Sequence, residues 1–184
     1  MSVRRLGAGL VLAATLAVPA AAQDARTNDA VFKDVQAQVL SYPKFTIFDD
    51  VGVVVDQGVV TLVGKVTMPF KRSEIEKRVK TIAGIAAIRN QIGVLPVSRH
   101  DDEMRYAIAR AIYGSAAFRP YASMANPPIH IIVERGRVTL TGVVASEVDR
   151  MLARSLASSF GAFTVTSELK TDAEVRALLD THGH

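Results

Sequence analysis

The sequence predicts an α+β fold: two tandem α-β-β-α-β modules, each a small three-stranded sheet covered by two helices, after a cleaved signal peptide. Three observations predict it. The heptapeptide Gly58-Val-Val-Thr-Leu-Val-Gly64 returns 78 positions later as Gly136-Arg-Val-Thr-Leu-Thr-Gly142. Each copy alternates apolar and polar positions, with Val60, Leu62 and Val66 on one face, then Val138, Leu140 and Val144, the period-two pattern of a half-buried strand. The stretches flanking each copy repeat instead at helical spacing.

The chain opens with Arg4 and Arg5, an apolar run from Leu6 to Val18, and the small residues Ala20, Ala21 and Ala22 ahead of Gln23. This is the layout of a signal peptide over residues 1–22. The apolar run of 13 residues falls short of the roughly 20 that a membrane-spanning helix needs. The mature chain from Gln23 is expected to be periplasmic, with no transmembrane span.

The first module is expected over residues 29–95. Val31, Phe32, Val35 and Val39 give a helix with Asn28 or Asp29 as N-cap, ended by Tyr42-Pro43. Val51–Val55 pairs with Val59–Val66 through a three-residue loop, Asp56-Gln57-Gly58, with Gly58 in the left-handed position. Gly64 marks a bulge or a close helix. Pro69 opens a second helix that turns Ile75, Val79 and Ile82 inward and carries the pairs Glu74/Arg78 and Glu76/Lys80 outside. Gly84 stops it, and Ile88–Val94 is the last strand.

The same order returns over residues 101–171, after a short apolar connector. Glu103–Tyr113 is a helix with Met104, Ile108 and Ile112 inward. Ile129–Val133 and Arg137–Val144 form the hairpin around Glu134-Arg135-Gly136, and Gly142 repeats the role of Gly64. A capping box at Ser146–Asp149 starts a helix bearing Leu152, Leu156 and Phe160. Gly161 ends it before a strand at Phe163–Leu169. A second capping box, Thr171–Glu174, opens a short helix through Leu179 within the 172–184 tail. The copies differ mainly in the irregular loop Gly114–Pro128, long enough to suggest a function.

Composition narrows the role. The 22 basic and 18 acidic side chains give a net charge of +4, and without Arg4 and Arg5 the balance is 20 to 18. A surface so mixed argues against nucleic acid as partner. There is no cysteine, hence no disulfide, thiolate metal site or lipid-bearing cysteine. No G-x-G-x-x-G or Walker spacing accompanies the glycines, which read as fold residues: Gly58, Gly64, Gly84, Gly136, Gly142 and Gly161.

With the repeats in place, the chain resembles a pair of BON domains of the OsmY type. The likeness includes Gly84-Ile-Ala-Ala-Ile-Arg-Asn90-Gln-Ile, similar to the family's Gly-Val-x-x-Val-x-Asn-x-Leu. In the second module Gly161-Ala-Phe-Thr-Val-Thr-Ser167-Glu-Leu keeps the spacing and replaces Asn with Ser. The resemblance spans about Asp29 to Thr171. It implies a non-enzymatic periplasmic protein without cofactor that binds phospholipid surfaces and serves osmotic and envelope stress tolerance. The alternative is a protein-interaction or chaperone-like module for exported proteins.

Residues with catalytic or ligating potential are scattered. Four histidines occur: His182 and His184 lie in the tail, His130 in a strand, His100 in the connector, and no metal site is expected. Ser155, Ser158 and Ser159 lack a nucleophile-elbow context. Asp49/Asp50 and Asp101/Asp102 read as turn and cap residues. Lys71, Arg72, Lys77, Arg78 and Lys80 surround the second helix as a solvated face. The expected contact surface for anionic phospholipid lies on the second module, in Arg105, Arg110 and Tyr113 of its first helix and Phe118, Arg119, Tyr121 and Met124 of the long loop.

Overall fold

The computed structural model describes residues 27–182. The expected signal peptide and His184 lie outside the described residues. The first module runs α1 (Asn28–Leu40), β1 (Asp50–Asp56), β2 (Val59–Val66), α2 (Pro69–Val79), β3 (Ala87–Asn90) and β4 (Gly93–Val94). The second runs α3 (Arg99–Gly114), α4 (Arg119–Ala122), β5 (Ile129–Glu134), β6 (Arg137–Val144), α5 (Glu147–Ala157), β7 (Thr164–Ser167) and β8 (Lys170–Thr171). The terminal α6 (Asp172–His182) extends three residues past the expected end.

In each module the second hairpin strand is central. β1 is antiparallel to β2, while β3 and β4 run parallel to it. β5, β6, β7 and β8 repeat the pattern. A parallel return needs a crossover, which α2 and α5 provide. The expected third strand is thus two short pieces: in the first module Asn90 Oδ1 turns back to the Ile92 amide at 3.1 Å and interrupts the ladder.

Both hairpin loops have two residues, not three. Asp56 still pairs with Val59, and Glu134 with Arg137. The acidic residue therefore belongs to the ladder. Gln57-Gly58 (φ 46°, 75°) and Arg135-Gly136 (φ 53°, 73°) form primed turns, whose twist matches the strands. Gly64 and Gly142 mark neither a bulge nor a helix contact. The register runs through them, and a β-carbon there would stand 2.2 Å from the Asp50 carbonyl oxygen or 1.8 Å from that of Pro128. The neighbouring strand is what comes close. All six glycines singled out by sequence have positive φ.

Thr27, one residue before the expected position, caps α1 by accepting from the Ala30 amide. Each module has its own core. Val31, Val35, Leu62, Val66 and Ile75 centre the first, and Ile108, Ile112, Phe118, Leu140 and Ala153 the second. Each fully buried large aliphatic contributes about 1.5–3 kcal/mol.

The modules join through the loop between α1 and β1. Ile47 and Phe48 pack against the second core. The Ile47 carbonyl accepts from the Ile131 amide at 2.7 Å, which occupies the open edge of β5. The Asp49 carbonyl lies 2.6 Å from His130 Nδ1; a carbonyl only accepts, so Nδ1 carries the proton. Lys65 and Glu134 add an ion pair at 2.7 Å, and Phe48 meets Tyr106 edge-on at 5.1 Å.

Candidate functional site

The expected contact residues separate into two groups. Arg105 is only 4% exposed; it pairs with Asp102 and donates to the Val133 carbonyl at 2.6 Å. Phe118 is fully buried in the second core. Both leave the candidate contact surface. The long loop is irregular mainly over residues 123–128: residues 116–118 form a helical turn that runs into α4, and this lid seats Phe118 over the open end of the core. Tyr113 is half-buried, its hydroxyl donating to the Ile129 carbonyl at 2.5 Å and accepting from the Ile129 amide at 3.1 Å. Burial pushes its phenol well above the usual range. Tyr121 accepts from the Ala145 amide at 2.9 Å and stacks 6.0 Å from Phe118.

What remains exposed is Arg110 on the outside of α3, Arg119 on α4, and Met124. The Tyr121–Ala145 bond ties α4 to the start of α5, whose outer face exposes Val148, Met151 and Arg154. Sequence reading passed over these three, attending to the inward Leu152 and Leu156. Among the described residues, Arg110, Arg119 and Arg154 have no carboxylate partner. The helical layer of the second module thus presents, among the described residues, three guanidinium groups without carboxylate partners together with exposed Met124, Val148 and Met151.

The other polar clusters hold the fold. Lys71, expected on a solvated face, is buried and bonds Asp49 at 2.6 Å. Asp49, fully buried, also accepts from the Thr46 amide at 2.9 Å and the Thr67 amide at 2.8 Å. Burial works most strongly against its charge. The hydrogen bonds from Lys71, Thr67 and Thr46 together outweigh that and hold its carboxyl below the usual range. Asp101, inside α3, accepts from both turn amides, Arg135 and Gly136, at 2.8 Å each. Among the described residues no three of His, Asp or Glu come together to hold a metal ion, and no helix is long and apolar enough to cross a membrane.

Comparison with curated proteins returned no match. Among solved structures, the chain is similar to the C-terminal domain of CdsD, a structural protein of the type III secretion system of Chlamydia trachomatis, at 13% identity and a TM-score of 0.32. That alignment covers 77% of this chain and 65% of that one. A second CdsD structure aligns at 13% identity and a TM-score of 0.29, covering 84% of this chain and 98% of its own. A sequence profile for the BON domain matches residues 28–96 and again residues 107–173. With both modules matched, the chain belongs to the BON-domain family and carries two copies of the domain in tandem.

Proposed function

We propose that this protein is a non-enzymatic periplasmic component that docks peripherally on anionic phospholipid of the envelope and contributes to osmotic and envelope stress tolerance. The supporting observation is the outer helical layer of the second module, where Arg110, Arg119 and Arg154 lack carboxylate partners among the described residues and Met124, Val148 and Met151 are exposed. Each cation held near an anionic surface contributes about 1 kcal/mol, and the effect decays within a Debye length. The apolar side chains add a shallow insertion between headgroups.

The test is co-sedimentation of the chain from Gln23 to His184 with neutral and anionic vesicles. Binding to anionic vesicles that weakens from low to physiological salt, and falls away in the Arg110→Ala/Arg119→Ala/Arg154→Ala variant, is the expected result. Absence of binding at both salts overturns the reading. A second reading, docking of exported proteins, rests on β3 and β7, each pairing on one side only. An unpaired edge can take up an extended segment. Suppression of client aggregation without vesicle binding favours it.

A further inference from the structure

The two modules repeat one backbone, so each serves as a control for the other, and their helix-free sheet faces differ. In the first module the outward hairpin positions hold Val54, Val59, Thr61 and Val63. The same positions in the second hold Ile132, Arg137, Thr139 and Thr141. The first turn residue changes from Gln57 to Arg135. The residue whose amide bonds the turn glycine's carbonyl at 2.8 Å changes from Ala86 to Phe163.

In the second module these side chains line a cleft of about 630 Å³, walled on one side by Asp50 and Lys65 of the first module. A cleft of this size at a domain junction suits a small-molecule ligand. Its chemistry is mixed. Glu134 is engaged by Lys65, whereas Arg135, Arg137 and Glu168 form no ion pair among the described residues. Thr141 is nine-tenths buried, and its hydroxyl has no hydrogen-bond partner among the described residues. Phe163 is 80% exposed, and its ring lies against Gly136, where a β-carbon would come within 2.7 Å of it. Arginine is an unusual choice at a positive-φ turn position, which favours Asn, Asp or Gly. Asp101 holds the turn in place through both of its amides.

We propose that this cleft binds a short carboxylated oligosaccharide. Arg135 and Arg137 supply the planar forks that receive a sugar carboxylate. Phe163 offers a ring face to the apolar side of a pyranose. Glu168 and Thr139 hydrogen-bond ring hydroxyls. An extended peptide lying over this face finds no backbone partner on β5 or β6, because Ile47 occupies the β5 edge and β6 lies inside the sheet; the free edge of β7 points along the sheet rather than into its face. An acyl chain finds only Ile132 and Phe163. A polyphosphate, with its charges on adjacent groups, meets three carboxylates, Asp50, Glu134 and Glu168, beside the three cations, whereas a saccharide spaces its carboxylates a ring apart. The site is on the sheet face, away from the helical layer, and stands independently of vesicle binding.

The experiment is titration of the full chain, followed by amide NMR, with trigalacturonate, maltotriose and citrate as separate probes. Saturable shifts at Arg137, Thr139, Thr141 and Phe163 with trigalacturonate alone are expected. Arg137→Val and Phe163→Ala install the residues the first module carries at these places, so the backbone tolerates them; each loosens binding about tenfold or more. Equal shifts with citrate reduce the cleft to an anion site and overturn the saccharide assignment. Equal shifts with maltotriose overturn the role of the arginines, and silence with all three probes overturns the site.

Discussion

Among the described residues Asp49 is the most deeply buried charged side chain. It is fully buried, and Thr46, Thr67 and Lys71 converge on its carboxylate. Removing one partner of such a buried pair costs about 3–5 kcal/mol, because the other charge is left unanswered. Asp49→Asn is expected to lower the stability by that amount, read as a lower urea midpoint without a change of slope if the two states stay as compact. The pH dependence follows from the lowered carboxyl. Its contribution is present above the ordinary carboxylate value of about 3.9 and is lost as pH falls below that toward the folded-state value. Acid titration of the wild type should therefore show a loss of stability below about pH 4 that Asp49→Asn flattens. None of this was legible locally. Helical spacing placed Lys71 among solvated charges, and its partner lies 22 residues away, across a packing that only the assembled module creates.

The elements themselves were more legible, since their signals are local. Alternation located both hairpins, and the glycines located their turns. The capping box at Thr171 is present as read: Glu174 accepts from the Thr171 amide at 2.7 Å, and the Thr171 hydroxyl from the Glu174 amide at 3.2 Å. Hydrogen exchange should show Thr171→Ala speeding the first turn of α6 by about 1 kcal/mol of local opening, while the β6 amides stay protected. Gly142→Ala is a harsher change, since its β-carbon would enter the Pro128 carbonyl. Thermal denaturation is expected to register a loss greater than about 1 kcal/mol; an unchanged Tm would refute the close approach. Where small residues carry the packing, the signal fades. The deepest positions of α5 are Ala153 and Ala157, which let the helix lie close on the sheet, yet the sequence pointed to the bulkier Leu152 and Leu156. The lid at residues 116–122 lies within the loop read as irregular; it is two short turns without apolar periodicity, and Pro120 sits in the first turn of α4, a place that suits proline.

At the scale of the whole molecule, the modules are joined by contacts that no single-residue pattern announces. Ile47, Phe48 and Asp49 of the first meet Ile131, Tyr106 and His130 of the second. Ile47→Asp places a charge against the second core, and chemical denaturation is expected to split one transition into two as the modules lose their coupling. Superimposable curves for the variant and the wild type would count against that coupling. The loop bearing Ile47 also has a temporal meaning. A chain made from its N-terminus has Phe45–Asp49 in hand before Ile129 is synthesised, so the strand most open to stray pairing emerges with its cover already waiting. The order of the two modules along the chain is then part of how the protein avoids misassembly as it emerges N-terminus first, and exchanging that order would leave β5 uncovered during the interval when an emerging strand is most exposed to its neighbours.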